Sequence, residues 1–263
     1  MDLSELSVSR ETLWSKSTRN GGVVPSDSDP TDSDPTDQPD LEALSKPPAA
    51  AREIFGERQE LAVRFWQILA TDGIDHGLMG PREVPRLWDR HILNCAVIGE
   101  LIDEEANVID IGSGAGLPGV PLAVARPDLS ITLIEPLLRR SSFLERAVET
   151  LALDNVTVVR GRAEEKVVRA QVPLADVVTS RAVAPLERLS KWSAPLIRDG
   201  GRMIAIKGSS AAEEIERDRA LVGRTGISGL TVAVCGEQSL ETPTTVVVGT
   251  KAERSRGSRS GRR

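Results

Sequence analysis

Four glycines lie close together near the middle of the chain, after an acidic residue and before an apolar run. The segment reads Asp110-Ile-Gly-Ser-Gly-Ala-Gly-Leu-Pro-Gly119. Glycine adopts positive φ angles and lacks a β-carbon, so the backbone can approach a ligand closely. Free amides at the start of the following helix can then bind the polar edges of a nucleotide. The segment therefore predicts a nucleotide-binding turn between a strand and a helix.

Two cofactor motifs fit these glycines. Residues 114–119 match the G-x-G-x-x-G of dinucleotide enzymes, with Glu135 after the next strand to hold a ribose. Residues 110–116 match the D-x-G-x-G-x-G loop of S-adenosylmethionine enzymes. A carboxylate at Asp110 suits the cationic methionyl end of S-adenosylmethionine and would repel a pyrophosphate. We therefore favour S-adenosylmethionine over a nicotinamide dinucleotide, with Glu135 accepting both ribose hydroxyls.

Strands and helices alternate after residue 106, which predicts an α/β fold. The predicted strands are 107–111, 130–135, 155–160, 175–179, 201–206, 229–235 and 244–250, with helices such as 137–151 and 209–222 between them. A short polar stretch joins the last two strands, which indicates an antiparallel hairpin rather than a helical crossover. This pattern predicts a class I S-adenosylmethionine-dependent methyltransferase fold, with a Rossmann-like seven-stranded sheet and a terminal antiparallel hairpin.

Composition divides the chain into four segments. Residues 1–50 hold ten acidic and four basic residues and the repeat DSDPT, which predicts a disordered acidic extension. Residues 51–105 have apolar residues at helical spacing and predict an N-terminal helical cap, with one helix over 84–102. Residues 106–250 form the predicted methyltransferase domain. Residues 251–263 hold six basic residues and one acidic residue, which predicts a disordered basic tail.

Several protein classes are excluded by what the chain lacks. There is no apolar run long enough to span a membrane, and the N-terminus does not resemble a signal peptide. Cys95 and Cys235 are isolated within apolar segments, so we expect buried thiols rather than disulfides or metal ligands. We therefore expect a cytoplasmic protein without a metal site or a membrane partner.

Basic residues follow several of the predicted strands. In an open α/β sheet the ligand binds beyond the carboxyl ends of the strands, so these residues should surround the site. They indicate an anionic substrate, most simply a nucleic-acid backbone. The six residues are Arg139, Arg140, Arg160, Arg162, Arg181 and Lys207.

The segment after the fourth strand limits which nucleic-acid atom can accept the methyl group. It reads Thr179-Ser-Arg-Ala-Val-Ala-Pro185 and lacks the Asn/Asp-Pro-Pro-aromatic motif that accompanies methylation of adenine amines. Methylation of a pyrimidine carbon needs a cysteine nucleophile, and we expect neither cysteine near the strand ends. Guanine N7 has a lone pair and no proton, so correct placement beside the methyl donor is sufficient.

These motifs together resemble a known family. Residues 110–122, with Arg162-Ala-Glu-Glu165, Ser180-Arg-Ala182 and Leu87-Trp-Asp-Arg-His-Ile92, are similar to the bacterial small-subunit (16S) ribosomal RNA guanine-N7 methyltransferases, the glucose-inhibited division protein B family. The resemblance covers about residues 51–250. It implies methylation of one guanine in the decoding-region loop. We expect a monomer, and the substrate can be the RNA alone or the assembled subunit. Where many relatives carry Asp-Ser and Lys-Arg, this chain has Glu135-Pro-Leu-Leu-Arg-Arg140.

The motif positions give a set of expected site residues. By resemblance, Gly112 and Leu117 line the cofactor, Ala163 and Glu164 border the adenine, and Arg181 closes the site as the catalytic residue. The expected cofactor-binding residues are Asp110, Gly112, Gly114, Gly116, Leu117, Glu135, Ala163, Glu164 and Arg181. The expected RNA-binding residues are Arg139, Arg140, Arg162, Lys207 and His91.

Some of these residues have ordinary structural explanations. His91 lies among apolar neighbours, where a histidine is more often a hydrogen-bonded structural residue than a substrate contact. Trp88 and Trp192 could stack on a flipped base, but core packing is the favoured interpretation. Two other functions stay open at this point: a nicotinamide-dependent oxidoreductase and an RNA-binding protein without catalytic activity.

Overall fold

The computed structural model describes residues 40–253, and the predicted disordered segments therefore lie mostly outside the described residues. The described strands form one seven-stranded sheet in the order β3-β2-β1-β4-β5-β7-β6. They are β1 Asn107–Ile111, β2 Ser130–Glu135, β3 Val156–Arg160, β4 Ala175–Arg181, β5 Ile197–Ile206, β6 Ile227–Cys235 and β7 Thr244–Lys251.

The direction of the strands confirms the predicted fold class. The first five strands pair in parallel. Strand β7 runs antiparallel between β5 and β6, as the predicted hairpin requires. The dinucleotide fold instead continues its parallel order into a sixth strand. The sheet is therefore that of a class I methyltransferase, and all seven predicted strands are present.

Helices connect the strands on both faces of the sheet. They are α6 Gly119–Ala125, α7 Leu138–Thr150, α8 Lys166–Gln171, α9 Leu186–Ser193 and α10 Ala211–Gly223. The helices predicted at 137–151 and 209–222 correspond to α7 and α10. The glycine segment forms the turn between β1 and α6, as its composition predicts.

The N-terminal part of the described chain is helical, but it begins earlier than the predicted boundary at residue 51. Its helices are α1 Leu41–Ser45, α2 Ala49–Phe55, α3 Gln59–Ala70 and α4 Asp72–Asp75, with a 3-10 turn at Gly56–Arg58. The Asp40 carboxylate caps α1 by accepting hydrogen bonds from two backbone amides. A side-chain cap of this kind stabilises a helix start.

The single helix predicted over 84–102 is instead a series of short helical segments. They are a 3-10 helix Pro81–Arg86, a π-helix Leu87–Leu93, the short α5 Asn94–Ala96 and a 3-10 helix Val97–Leu101. Pro85 lies inside the first segment and has no amide hydrogen to donate. Apolar spacing predicts a helical path but does not distinguish α from 3-10 or π geometry.

The cap packs against one face of the sheet and shares its core. Phe65, Trp66 and Leu87 are buried in the same cluster as Val108 of β1. Alternate residues of β1, such as Ile109, face a second core on the other side. Trp88 is buried in the first cluster and Trp192 packs against the second, so core packing accounts for both. Within residues 40–253, no helix has the length and apolar character needed to cross a membrane.

Candidate active site

A cavity of about 590 Å³ opens at the carboxyl ends of the parallel strands. One side, which we call the glycine wall, consists of Gly112, Ser113, Gly114 and Leu117. The other side, the arginine wall, consists of His91, Arg181, Ala182 and Val183. Exposed residues at its mouth include Leu137, Arg140 and Arg162. The cavity therefore lies where the fold predicts a ligand site.

The glycine wall presents backbone rather than side chains. Gly112 has a φ of 70°, and a β-carbon there would lie 3.0 Å from the side chain of Val183, which also lines the cavity. Gly116 has a φ of 89°, and a β-carbon there would lie 2.8 Å from Val120. L-residues with side chains rarely adopt these angles. Gly112 thus keeps the cavity open, whereas Gly116 packs against the core and does not line the cavity.

Glu135 connects the end of β2 to the glycine wall. Its carboxylate accepts hydrogen bonds from the amide of Gly114 at 3.0 Å and from the amide of Leu137 at 3.0 Å. The side chain is buried and lines the cavity. Because a carboxylate has about four acceptor positions, Glu135 retains capacity for the hydroxyl groups of a ligand.

Asp110 is not placed as the sequence predicts. It is completely buried, and its Oδ2 accepts a hydrogen bond from the amide of Gly119 at 3.1 Å. Its Oδ1 is also buried and has no hydrogen-bond partner among the residues that the structure describes. Burial raises the pKa of this carboxyl to about 7. Asp110 therefore lies beneath the loop and anchors the start of α6, and it does not line the cavity.

Arg181, the last residue of β4, lies in a network with residues of the cap. Its Nη2 donates to Nδ1 of His91 at 2.7 Å, and Nε2 of His91 bonds Oε2 of Glu83 at 2.6 Å. His91 is buried, and both burial and the Arg181 charge lower its pKa. The predicted substrate contact and the predicted structural role of His91 are thus compatible, because the ring lines the cavity and is hydrogen-bonded at both nitrogens.

One cysteine lies closer to the strand ends than we expected. Sγ of Cys95 is 3.4 Å from Nη1 of Arg181, at the carboxyl end of β4. The prediction that neither cysteine approaches the strand ends is therefore wrong, because the cap folds back over this edge. The Cys95 thiol is completely buried, and burial raises its pKa to about 11. A protonated, inaccessible thiol is a poor nucleophile, so pyrimidine chemistry stays disfavoured.

The predicted RNA-binding residues do not form one surface. Arg140 and Arg162 lie at the mouth of the cavity. Arg139 instead donates to the carbonyl of Asp75 at 2.9 Å and ties α7 to the cap. Lys207 lines a neighbouring cavity and pairs with Glu214 at 2.9 Å. Its charge is therefore largely neutralised within the protein.

The two residues expected beside the adenine lie after β3, at the correct edge of the sheet. Ala163 is buried and Glu164 is exposed. Neither lines the cavity, so their contact with a ligand stays a prediction. The cavity also contains Leu78, Met79 and Val183, which the sequence did not single out. Their apolar character gives no signal that separates them from core residues.

The sequence matches known proteins over most of its length. A sequence model of the family described as rRNA small subunit methyltransferase G matches residues 58–242. A relative of that name from Corynebacterium glutamicum is 63% identical over 204 residues, covering 78% of this chain and 91% of the relative. The Rhodococcus jostii relative is 63% identical over 206 residues, covering 78% and 89%. The Mycolicibacterium gilvum relative is 57% identical over 221 residues, covering 84% and 97%.

Proposed function

This chain belongs to the rRNA small subunit methyltransferase G family, and from this premise we propose that its methyl donor is S-adenosylmethionine and its acceptor the N7 atom of one guanine. Family membership gives the activity, which is methylation of the ribosomal RNA of the small subunit. It also confirms the resemblance that the motifs predict. We further propose that the protein acts in the cytoplasm, since its substrate is ribosomal RNA. We also propose that it acts as a monomer.

The residues of the cavity fit S-adenosylmethionine. Gly112 and Gly114 leave part of the glycine wall without side chains, so an extended ligand can lie against the backbone there. Glu135 is buried beside that wall and supplies acceptors for the ribose hydroxyls. When bound, S-adenosylmethionine supplies an electrophilic methyl group on a sulfonium. Asp110 is buried and does not line the cavity, so we assign it to anchoring the loop and not to contact with the ligand.

The other side of the cavity supports an RNA acceptor. The observation that carries the proposal is that Arg181 lines the same cavity as the glycine wall, with the exposed residues Arg140 and Arg162 at the mouth. Arginine donates hydrogen bonds to guanine edges and to phosphates. Guanine N7 requires no base to remove a proton, and no described side chain need serve as one. The role of the chain is to hold the guanine in line with the donor and to exclude water.

A transfer experiment tests this proposal. The protein is incubated with tritiated S-adenosylmethionine and small subunits from a bacterial strain that lacks its own enzyme of this family, with free RNA from the same strain in parallel. We expect label only in 7-methylguanosine after digestion, and strand cleavage at one guanine after borohydride and aniline treatment. Label in another nucleoside would contradict the N7 assignment.

The transfer assay, combined with binding and thermal-shift measurements, separates the competing functions. RNA binding without any transfer of label would indicate an RNA-binding protein without catalytic activity. A thermal shift with NAD or NADP, and none with S-adenosylmethionine, would indicate an oxidoreductase. Transfer to assembled subunits but not to free RNA would identify the natural substrate without changing the chemistry.

A further inference from the structure

The guanidinium of Arg181 has no carboxylate partner among the described residues. Its two hydrogen bonds go to Nδ1 of His91 at 2.7 Å and to Sγ of Cys95 at 3.4 Å. Lys207, the residue directly after β5, is paired differently, since the Glu214 carboxylate bonds it at 2.9 Å. A direct carboxylate partner would cancel most of the charge that an RNA could bind. The arginine is thus held in place while its charge stays available.

The hydrogen bonds of His91 fix which ring nitrogen carries the proton. Arginine only donates hydrogen bonds, so Nδ1 of His91, which contacts Arg181, must be the acceptor. Nε2 must then carry the proton, and it donates to Oε2 of Glu83 at 2.6 Å. A carboxylate only accepts, so Glu83 selects this tautomer. Without Glu83, the proton could move to Nδ1, where it would point at the Arg181 guanidinium.

We propose that Glu83 is a positioning residue for methyl transfer, which acts through the His91 ring to hold the Arg181 guanidinium at the cavity wall. The inference rests on the proposed function, in which Arg181 contacts the RNA. Glu83 itself does not line the cavity and lies in the 3-10 helix Pro81–Arg86 of the cap. The neutral His91 ring lies between the two residues, so Glu83 can fix the orientation of Arg181 without forming an ion pair with it.

The histidine content of the chain makes the tautomer measurable. The whole sequence has two histidines, His76 and His91. Nδ1 of His76 contacts the carbonyl of Asp72 at 2.8 Å, and its Nε2 contacts Nη2 of Arg146 at 2.9 Å. A carbonyl only accepts and arginine only donates, so His76 carries its proton on Nδ1. The two rings should therefore show opposite tautomers, and His76 is an internal control.

The experiment compares Glu83→Ala, Glu83→Gln and the control Glu57→Ala in the full chain. Glu57 is an exposed glutamate in another 3-10 turn of the cap, outside the site. Nitrogen-15 spectra of histidine-labelled protein report the tautomers. Calorimetry gives the affinity for S-adenosylmethionine, and the transfer assay gives kcat and KM for small subunits.

We expect Glu83→Ala to give a mixture of His91 tautomers with the His76 signals unchanged. Its kcat/KM for RNA should fall about tenfold, the scale of one hydrogen bond to a charged group. Affinity for S-adenosylmethionine should not change. Glu83→Gln should recover part of the activity, because its amide oxygen can accept from Nε2. Glu57→Ala should match the wild-type protein in every measurement.

Three results would overturn the inference. The first is an unchanged His91 spectrum in both Glu83 variants. The second is a changed spectrum with wild-type kcat/KM. The third is equal loss of activity in the Ala and Gln variants with an unchanged tautomer in the Gln variant. If the wild-type protein transfers no methyl group at all, the proposed function fails, whereas the spectra still decide whether Glu83 sets the His91 tautomer.

Discussion

The two walls of the cavity are built in different ways. The glycine wall comes from one continuous segment, residues 112–117, and it presents backbone to the ligand. The arginine wall joins β4 to the cap, since Arg181 contacts His91 and Cys95, which lie about ninety positions earlier in the sequence. One wall is thus a local feature of a strand-turn-helix unit, and the other exists only after the cap has packed on the sheet.

This difference assigns separate tasks to the two walls. A loop whose glycines leave its backbone uncovered, beside a buried carboxylate, suits a small cofactor of fixed structure. Charged side chains supported by hydrogen bonds suit a large anionic substrate that must be placed and released. We therefore expect substitutions in the glycine wall to affect cofactor binding first. Substitutions in the arginine wall should affect methyl transfer while cofactor binding persists.

The largest effect should come from Gly114→Asp in the glycine wall. Gly114 has a φ of 56° and donates its amide to Glu135. An aspartate there would be strained and would place a second negative charge beside that carboxylate. We expect the affinity for S-adenosylmethionine, measured by calorimetry, to fall by more than about a thousandfold, or roughly 4 kcal/mol.

Gly229→Asp is the matched control for this change. Gly229 has a φ of 64°, is exposed in β6 and lies outside the cavity. A β-carbon added there would approach no neighbouring group within 4 Å, so the new side chain has room. This variant should bind the cofactor as the wild-type protein does. Wild-type affinity in Gly114→Asp would remove the glycine wall from the cofactor site.

Asp110→Asn should distinguish the hydrogen bond by which Asp110 anchors the loop from the effect of its negative charge. Burial raises the folded-state pKa of Asp110 from 3.8 to about 7, so the folded protein holds this proton more tightly than the unfolded chain does. The free energy of unfolding therefore falls as pH rises between those two values. Asparagine does not ionise and can still accept from the amide of Gly119. Its free energy of unfolding should match wild type near pH 4 and exceed it above pH 7 by on the order of 4 kcal/mol.

Chemical denaturation across this pH range measures the difference. Cofactor affinity should change little in Asp110→Asn if Asp110 only anchors the loop. A large loss of affinity, with no gain in stability at high pH, would instead support direct contact between Asp110 and the cationic donor.

Arg181→Ala should reduce methyl transfer and leave cofactor binding intact, which is the opposite pattern to that expected for Gly114→Asp. Loss of the guanidinium removes charged hydrogen bonds to the RNA, and we expect kcat/KM to fall about a hundredfold. The sequence also predicts a cofactor contact for Arg181, but its guanidinium is hydrogen-bonded to His91 and Cys95, so calorimetry should give nearly wild-type affinity for S-adenosylmethionine. Arg181→Lys should not restore activity, because an ammonium cannot reproduce the planar set of donors. Loss of cofactor affinity in both variants would show that the two walls are not separate.

The smallest effect should come from Lys207→Ala. Lys207 is paired with Glu214 and lines the neighbouring cavity, so little of its charge reaches the RNA. We expect kcat/KM for small subunits to fall by less than about threefold, because Glu214 already neutralises much of the Lys207 charge. A loss as large as that of Arg181→Ala would place Lys207 on the RNA path, as the sequence predicts.

The sequence predicts what is local and misses what depends on packing. The strands, the hairpin and the glycine turn follow from periodicity and composition within short windows. Arg181 is predictable because it lies at the end of a strand, shortly after the apolar residues Val177 and Val178. The burial of Asp110 depends on how the glycine loop and the start of α6 cover it. The contact between Arg181 and Cys95 and the hydrogen bond between His91 and Glu83 depend on where the cap lies. No spacing rule within the sequence gives that position.

A crystal structure of the complex with S-adenosylhomocysteine, the product of the donor, tests the central claim most directly. We predict that the ligand lies along Gly112, Gly114 and Leu117, with its ribose on Glu135 and its sulfur facing Arg181 across the cavity. A ligand bound elsewhere, or one whose sulfur faces away from Arg181, would contradict the division of the cavity into a cofactor wall and an RNA wall.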